Sequence, residues 1–235
     1  MQLLNWRRLV LGAGAAAAVT SAAGAAEPGS SSPALTFNLG AATDYVFRGV
    51  SQTDNAPQVF GGADAEFARI GYAGVWLSNV DFGNGTRLEY DLYAGLKPTL
   101  GPLVLDLGVS RYGYARSPAG SHQDYVEWKA GAAWPLDEAT LGLAVYYSDN
   151  YFGDTGAATY YELTGASPLP GRFSLSGAVG RQVLKGPLDY TTWNLGLGYA
   201  LNDHLGVDLR YWDTDAHSFG STYDSRVVLG MKATF

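Results

Sequence analysis

The charged residues that could do chemistry in this sequence recur, singly or in pairs, within otherwise apolar stretches. Asp44 and Arg48 lie four residues apart in "DYVFRGVSQT", and Glu89 and Asp91 lie two residues apart in "RLEYDLYAGLK". Residues four apart on an extended chain lie about 13 Å from each other, too far to pair directly. Such charges can instead pair with partners on a neighbouring strand, or they can line a passage in which rings of carboxylates favour cations. The candidate residues are Asp44, Arg48, Asp64, Glu66, Glu89, Asp91, Asp106, Glu127, Lys129, Glu162, Asp208, Arg210, Arg226 and Lys232.

These candidates lie in segments where apolar and polar residues alternate, which is the period of a β-strand. The first segment spans residues 35–48 and carries Asp44 and Arg48 on its polar face. Its apolar face comprises Leu35, Phe37, Leu39, Ala41, Thr43, Tyr45 and Phe47. The same alternation recurs as far as Phe235 and predicts twelve strands, without a competing helical pattern after the N-terminal segment.

The predicted strands and their connections have the dimensions of an outer-membrane barrel. Many of the strands reach about ten residues, the length that a tilted strand needs to cross a bilayer. Short connections such as "RIG" and "NDH" alternate with longer ones such as "GYARSPAGSHQD", as periplasmic turns and external loops do. We therefore predict an all-β fold, a transmembrane antiparallel β-barrel of about 12 strands, over residues 35–235. A soluble β-fold is the alternative, because alternation alone leaves open which face is inside.

In a membrane barrel the apolar face of each strand contacts outer-membrane lipid, and the charged candidates face the lumen. Aromatic residues on the same inward face are Tyr72, Trp76, Tyr93, Tyr112, Tyr146, Tyr160 and Trp212. Side chains fill the interior of an eight-stranded barrel, whereas barrels of sixteen or more strands leave an open channel. A barrel of intermediate size is expected to leave a small pore, or one plugged by an inward-folded loop.

Closing such a barrel sets the first strand beside the last. Matching their ends brings Asp44 near Arg226, and we predict an ion pair between them. The last strand reads "MKATF", and a closing strand that ends in Phe resembles the C-terminal signature of bacterial outer-membrane barrels. That resemblance implies that the outer-membrane assembly machinery recognises this strand through Phe235.

The N-terminal segment has the features of a secretory signal. Arg7 and Arg8 precede an apolar stretch from Leu9 to Val19, and small residues follow up to Ala26. We predict a signal peptide over residues 1–26, a short flexible lead-in over residues 27–34, and export to the bacterial outer membrane. A transmembrane anchor is the alternative, but the apolar stretch is short and no later segment approaches 18 consecutive apolar residues.

Two segments resemble a known family. "DYVFRGVSQT" and the later "GVWLSNVDFGNGTRLEYDLYAG" are similar to the TorF-type porins of proteobacteria, a family whose activity is itself largely inferred. The resemblance covers roughly residues 35–235, and its first motif is the more specific one. It implies an outer-membrane barrel with a pore function, and it adds more to the fold than to the identity of a solute.

The composition and the barrel together favour a channel for small hydrophilic solutes or ions. The formal net charge of −7 argues against a nucleic-acid partner, and the absence of cysteine excludes disulfides and thiolate chemistry. No phosphate loop, zinc cluster or cofactor motif is present, so we expect no cofactor.

Two other functions stay open. A barrel lipase or protease needs a histidine beside a carboxylate and a nucleophile, and the chain has only His122, His204 and His217, with Asp124 and Asp215 near two of them. A loop-mediated binding or adhesion protein would use the Gly-, Ser-, Asp- and Asn-rich loops. Two of these, "DFGNGTR" and "SDNYFGDTG", carry oxygen ligands for a divalent cation but lack the ordered spacing of a calcium loop.

Overall fold

The computed structural model describes residues 33–235, so the predicted signal peptide and most of the predicted lead-in lie outside the described residues. The strands are β1 (Ala34–Ala42), β2 (Val46–Phe47), β3 (Val50–Ser51), β4 (Gln58–Phe67), β5 (Gly71–Asn79), β6 (Leu88–Leu96), β7 (Thr99–Leu100), β8 (Leu103–Ala115), β9 (Tyr125–Leu136), β10 (Ala139–Ser148), β11 (Ala158–Pro168), β12 (Phe173–Leu184), β13 (Tyr190–Ala200), β14 (Leu205–Thr214) and β15 (Arg226–Thr234). Short 3-10 turns occur at Phe152–Asp154, His217–Phe219 and Ser221–Tyr223.

All of these strands except β2, β3 and β7 form one closed antiparallel barrel. Each wall strand pairs with its neighbours in the chain, and β1 closes the ring by pairing with β15, for example Leu39 with Ala233. The predicted barrel of about twelve strands is therefore confirmed. Within the described residues no helix is long and apolar enough to cross a membrane.

The two faces of the wall differ as a lipid-facing barrel requires. Leu92 on β6 is 50% exposed on the outer surface, whereas the preceding inward residue, Asp91, is 8% exposed. Leu39 and Leu143 repeat this outward exposure on β1 and β10. The connections alternate in length, with short ones such as residues 68–70 at one end and long ones such as residues 116–124 at the other.

The loop after β1 folds into the barrel and does not continue the wall. Because β1 ends at Ala42, the strand predicted over residues 35–48 is too long, and the lipid-facing positions predicted for Tyr45 and Phe47 are wrong. The short strands β2 and β3 pair with each other within the lumen. We call residues 44–53 the inner hairpin.

Local sequence explains this change of direction. Arg48 and Gly49 both have a positive φ, of 50° and 83°, as the two central residues of a type I′ hairpin turn require. The hydroxyl groups of Ser51 and Thr53 donate to Oδ1 of Asp44 at 2.7 and 2.8 Å, and these bonds close the base of the hairpin. The arms of the hairpin are themselves extended, so apolar and polar residues alternate along them as they do along β1. The alternation in the sequence therefore does not show where the chain turns away from the wall.

Candidate functional site

One arm of the inner hairpin packs against β5, β6 and β8. The hydroxyl of Tyr45 donates to Oε1 of Glu89 at 3.0 Å, and the Tyr45 ring lies 5.3 Å from the ring of Trp76. Phe47 meets Tyr112 edge-on, with 5.8 Å between the ring centres. A buried hydrogen bond and aromatic packing therefore hold this arm to one side of the wall.

The tip of the hairpin binds a different part of the wall. Nη1 and Nη2 of Arg48 donate to the two carboxylate oxygens of Glu127, each at 2.8 Å, and Nη1 also donates to Oε1 of Gln182 at 3.2 Å. The guanidinium lies 4.9 Å and 4.3 Å from the ring centres of Tyr146 and Tyr160. Arg48 is 4% exposed and Glu127 is 2% exposed, so water is almost excluded from this bidentate pair. Arginine favours this geometry with carboxylates.

Gly49 brings the tip against β13 and β14. A Cβ built at this position would overlap Oγ1 of Thr192 and would lie 2.7 Å from Cγ2 of Thr214. The backbone therefore reaches the wall at a distance that only glycine permits. With Arg48 held by β9 and β12 and Gly49 against β13 and β14, the hairpin crosses the lumen.

The root of the hairpin is fixed at the seam of the barrel. Nη1 of Arg226, on β15, donates to Oδ2 of Asp44 at 2.9 Å and to Oδ1 of Asn55 at 2.8 Å. The structure thus contains the predicted pair of Asp44 and Arg226. It reaches this pair by another route, because Asp44 lies on the inner hairpin and not on a wall strand.

Two neighbouring carboxylates on β6 lack a basic partner in the described part of the chain. Glu89 binds Tyr45 through Oε1, but its Oε2 is buried without a hydrogen-bond partner, and Oδ1 of Asp91 is in the same position. Arg48 forms its ion pair with Glu127 and not with either of these carboxylates. Among the described residues, neither carboxylate therefore has a basic side chain beside it to compensate a charge.

Further candidates form ion pairs closer to the short-turn end. Nζ of Lys129 donates to Oδ2 of Asp106 at 2.7 Å, and the hydroxyl of Tyr72 donates to Oδ1 of the same carboxylate at 2.7 Å. Nε of Arg210 donates to Oδ1 of Asp208 at 3.0 Å. These contacts join groups on one strand or on strands close to each other, and they fix the side chains along the wall.

The remaining candidates are less tightly held. Asp64 accepts a short hydrogen bond from the hydroxyl of Tyr93. Within residues 33–235, no ion pair is formed by Glu66, Glu162 or Lys232. All three occupy the alternate positions of their strands that face inward. The candidate residues therefore include paired charges and a few without an ion-pair partner among the described residues.

Several residues that hold the hairpin were not among the predicted candidates. Tyr45 was predicted on the wrong face, and Gln182, Thr192 and Thr214 carry no charge that would single them out. The available signal was the dipeptide of Arg48 and Gly49 between alternating residues. A Gly at the second central position is typical of a two-residue hairpin turn.

Two of the three histidines lie beside aspartates other than the ones nearest to them in the sequence. Nδ1 of His122 lies 3.5 Å from Asp154, not beside Asp124, and Nε2 of His217 lies 2.7 Å from Asp213, not beside Asp215. In the described part of the chain, no serine or threonine hydroxyl hydrogen-bonds to either imidazole ring. The structure therefore adds no support for the hydrolase alternative.

The first of the two loops that carry oxygen ligands for a cation, "DFGNGTR", is closed by its own residues. Asp81 accepts a hydrogen bond from the backbone N–H of Gly83 at 3.0 Å and forms an ion pair with Arg87. These contacts, led by the bond from Gly83, hold the pKa of Asp81 below its usual value. Among residues 33–235 no group of three or more metal-ligating side chains comes together.

Comparison with protein families gives a match along almost the whole chain. Residues 25–235 match a family described as "Bacterial protein of unknown function (Gcw_chp)". The chain belongs to this family. The match does not carry the TorF-type name, so that part of the predicted resemblance stays a prediction, and no protein of curated function matches the sequence.

Solved structures with the same architecture are outer-membrane barrels. The KdgM porin has a TM-score of 0.60 at 8% identity, over 85% of this chain and 99% of its own. The NanC porin has a TM-score of 0.58 at 8% identity, over 86% and 98% of the two chains. Outer membrane phospholipase A from Escherichia coli has a TM-score of 0.52 at 13% identity, over 86% and 90%. At these identities the Gcw_chp chain shares the fold with them, and its function must be argued from its own residues.

Proposed function

We propose that the chain is a porin-like channel of the bacterial outer membrane for passive diffusion of small hydrophilic solutes or ions. We further propose that the inner hairpin is its constriction. The observation that carries this proposal is the bond from Arg48 to Glu127, because it fixes a loop inside the bore. The barrel fold that the chain shares with porins supports the same reading.

The hairpin is suited to limit conduction because opposite parts of the wall hold it. Tyr45 is bound on β6, Arg48 on β9, and Gly49 lies against β13. A solute must therefore pass beside the hairpin or displace it. Displacing the hairpin would separate the buried ion pair of Arg48 and Glu127, which is costly unless both groups find new partners or water, so we expect a small conductance in the resting state.

Single-channel recording in planar bilayers tests this proposal. Ala42 and Gln58 are register partners, so a short Gly-Ser linker can replace residues 44–55 without moving the strand ends. We expect the linker variant to conduct several times more current than the unaltered chain. A matched control carries a similar linker in place of residues 117–121, within a long loop at the same rim, and should conduct like the unaltered chain.

Both variants must first be shown to fold, for example by the change in gel mobility that barrels undergo on heating. If the folded linker variant adds no current above that of the bare bilayer, the chain is not a channel. If it conducts no more than the unaltered chain, the hairpin is not the constriction.

A further inference from the structure

The wall that receives Arg48 has the parts of a binding site for a guanidinium group. The carboxylate comes from Glu127 on β9, the aromatic rings from Tyr146 on β10 and Tyr160 on β11, and the amide oxygen from Gln182 on β12. Tyr160 is the register partner of both Tyr146 and Gln182. Strand pairing therefore sets the backbone positions of Tyr146, Tyr160 and Gln182 without the hairpin. Glu127 lies on the next strand, β9, which pairs with β10 from Trp128 onward.

Two neighbouring residues orient the site. Nε2 of Gln182 lies 3.5 Å from the backbone oxygen of Thr159, on the wall itself, which leaves Oε1 of Gln182 to face Arg48. On β12, a Cβ at Gly180 would overlap the hydroxyl and ring of Tyr160. The absence of a side chain at Gly180 lets the Tyr160 ring lie close to the wall, beneath the guanidinium.

The buried carboxylate of this site favours a cationic ligand. Glu127 is almost fully buried, and Arg48 is its ion-pair partner. The nearest basic residue along β9, Lys129, is bonded to Asp106. Removing Arg48 would therefore leave a buried carboxylate uncompensated, which is costly. A planar guanidinium suits the site better than an ammonium group, because it can bond both carboxylate oxygens and stack on the rings at once.

We propose that Glu127, Gln182, Tyr146 and Tyr160 form a solute site for guanidinium-bearing organic cations, which Arg48 occupies as a tethered ligand in the resting channel. This inference rests on the proposed channel function and names a solute class for it. A tethered group competes at an effective concentration in the millimolar range. A free solute therefore binds well only where the hairpin has left the site.

A binding experiment without transport tests the first half of the proposal. Arg48→Gly empties the site and keeps the turn, because glycine accepts the positive φ of residue 48. N-ethylguanidinium at millimolar concentration should raise the thermal unfolding midpoint of this variant saturably, with N-ethylurea and ethylammonium as neutral and non-planar controls. Adding Glu127→Gln should weaken binding by more than about tenfold. Equal effects of all three compounds, or of both variants, would overturn the site.

The second half is tested in the variant whose inner hairpin is replaced by the Gly-Ser linker. N-ethylguanidinium should reduce its single-channel current saturably, and Glu127→Gln in that background should abolish the block. If the compound binds the Arg48→Gly variant but leaves the current of the linker variant unchanged, the wall is only a latch for the hairpin, and the solute assignment is overturned. A linker variant that carries no current would instead contradict the channel function itself, while the binding result would still decide the site.

Discussion

Arg226 on the last strand donates a hydrogen bond to Asp44 of the inner hairpin at 2.9 Å, and it does so beside the seam where β15 meets β1. The same Nη1 also bonds Asn55, on the chain that returns from the hairpin. One guanidinium therefore holds both the outgoing and the returning root of the inner hairpin. This contact links closure of the barrel to the position of the loop inside it.

A double-mutant cycle tests that link. Asp44→Asn and Arg226→Gln should each destabilise the barrel, and the double variant should lose less than the sum of the two. Residues that share such a contact typically couple by about 0.5–3 kcal/mol. The free energies of unfolding can be measured with urea in detergent micelles. Additive losses would mean that the contact contributes nothing of its own.

Glycine at the hairpin tip gives a second prediction. Gly49→Ala should push the tip away from Thr192 and raise single-channel conductance, because the added Cβ overlaps Oγ1 of that residue. Gly120→Ala is the matched control, since Gly120 has a φ of 79° but nothing within 4 Å of its added Cβ. Both substitutions carry a similar backbone strain of about 1–2 kcal/mol. Equal conductance in the two variants would show that the tip is not wedged against β13.

Two inward carboxylates should respond in opposite ways to loss of charge. Glu127→Gln should cost about 3 kcal/mol or more, because it leaves the buried Arg48 without its bidentate partner. Asp91→Asn should be neutral or stabilising, because Oδ1 of Asp91 is buried without a partner. Urea unfolding of both variants under identical conditions makes the comparison. A larger loss for Asp91→Asn would contradict the contacts described for Glu127 and Asp91.

A fourth prediction concerns the face of the barrel that contacts lipid. Leu92 and Leu107 are about half exposed on the outer surface of β6 and β8. Replacing either with Arg should destabilise the barrel by about 2–4 kcal/mol where the residue lies near the midplane of the bilayer. The measurement is the free energy of unfolding in lipid vesicles, with Asp91→Asn as the inward control on β6, the strand of Leu92. Equal costs on the two faces would refute the assignment of inside and outside.

Periodicity predicted the wall of this barrel well and its interior poorly. The alternation of Leu88 to Leu96 fixes both the strand and its lipid face, because each residue of a wall strand has only two possible environments. The same alternation continues from Ala42 into Tyr45 and Phe47, where the chain has left the wall. A period of two describes any extended segment, so it cannot say which sheet the segment joins.

Only part of the candidate site could be predicted from the sequence. Charged residues can be recognised in a sequence, whereas the contacts that they make cannot. Arg48 and Glu127 were both candidates, but 79 residues separate them, and nothing in their spacing indicates that they meet. The pair of Asp44 and Arg226 was predictable because barrel closure brings β1 beside β15, and Asp44 follows the end of β1 by only two residues. Gln182 and Thr192 could be recognised only once the hairpin had been placed in the lumen.

The charge of the lumen gives the last prediction. Among the inward candidates, acidic residues outnumber basic ones. Four of the carboxylates form ion pairs, and their basic partners are Arg48, Lys129, Arg210 and Arg226. The candidates left without an ion pair are Asp64, Glu66, Glu89, Asp91, Glu162 and Lys232, of which only Lys232 is basic. Unpaired carboxylates in a narrow pore raise the local concentration of cations. We therefore expect weak cation selectivity.

The reversal potential in a KCl gradient measures this preference, both in the unaltered chain and in the variant whose inner hairpin is replaced by a linker. The preference should fade near 1 M salt, where the screening length is about 3 Å. Neutralising Glu89 and Asp91 together should reduce it most in the linker variant, because Tyr45 of the hairpin otherwise covers Glu89. The control is Asp81→Asn, which removes a carboxylate from an external loop. An anion-selective reversal potential in the unaltered chain would refute the prediction and indicate that a basic residue controls the narrowest point.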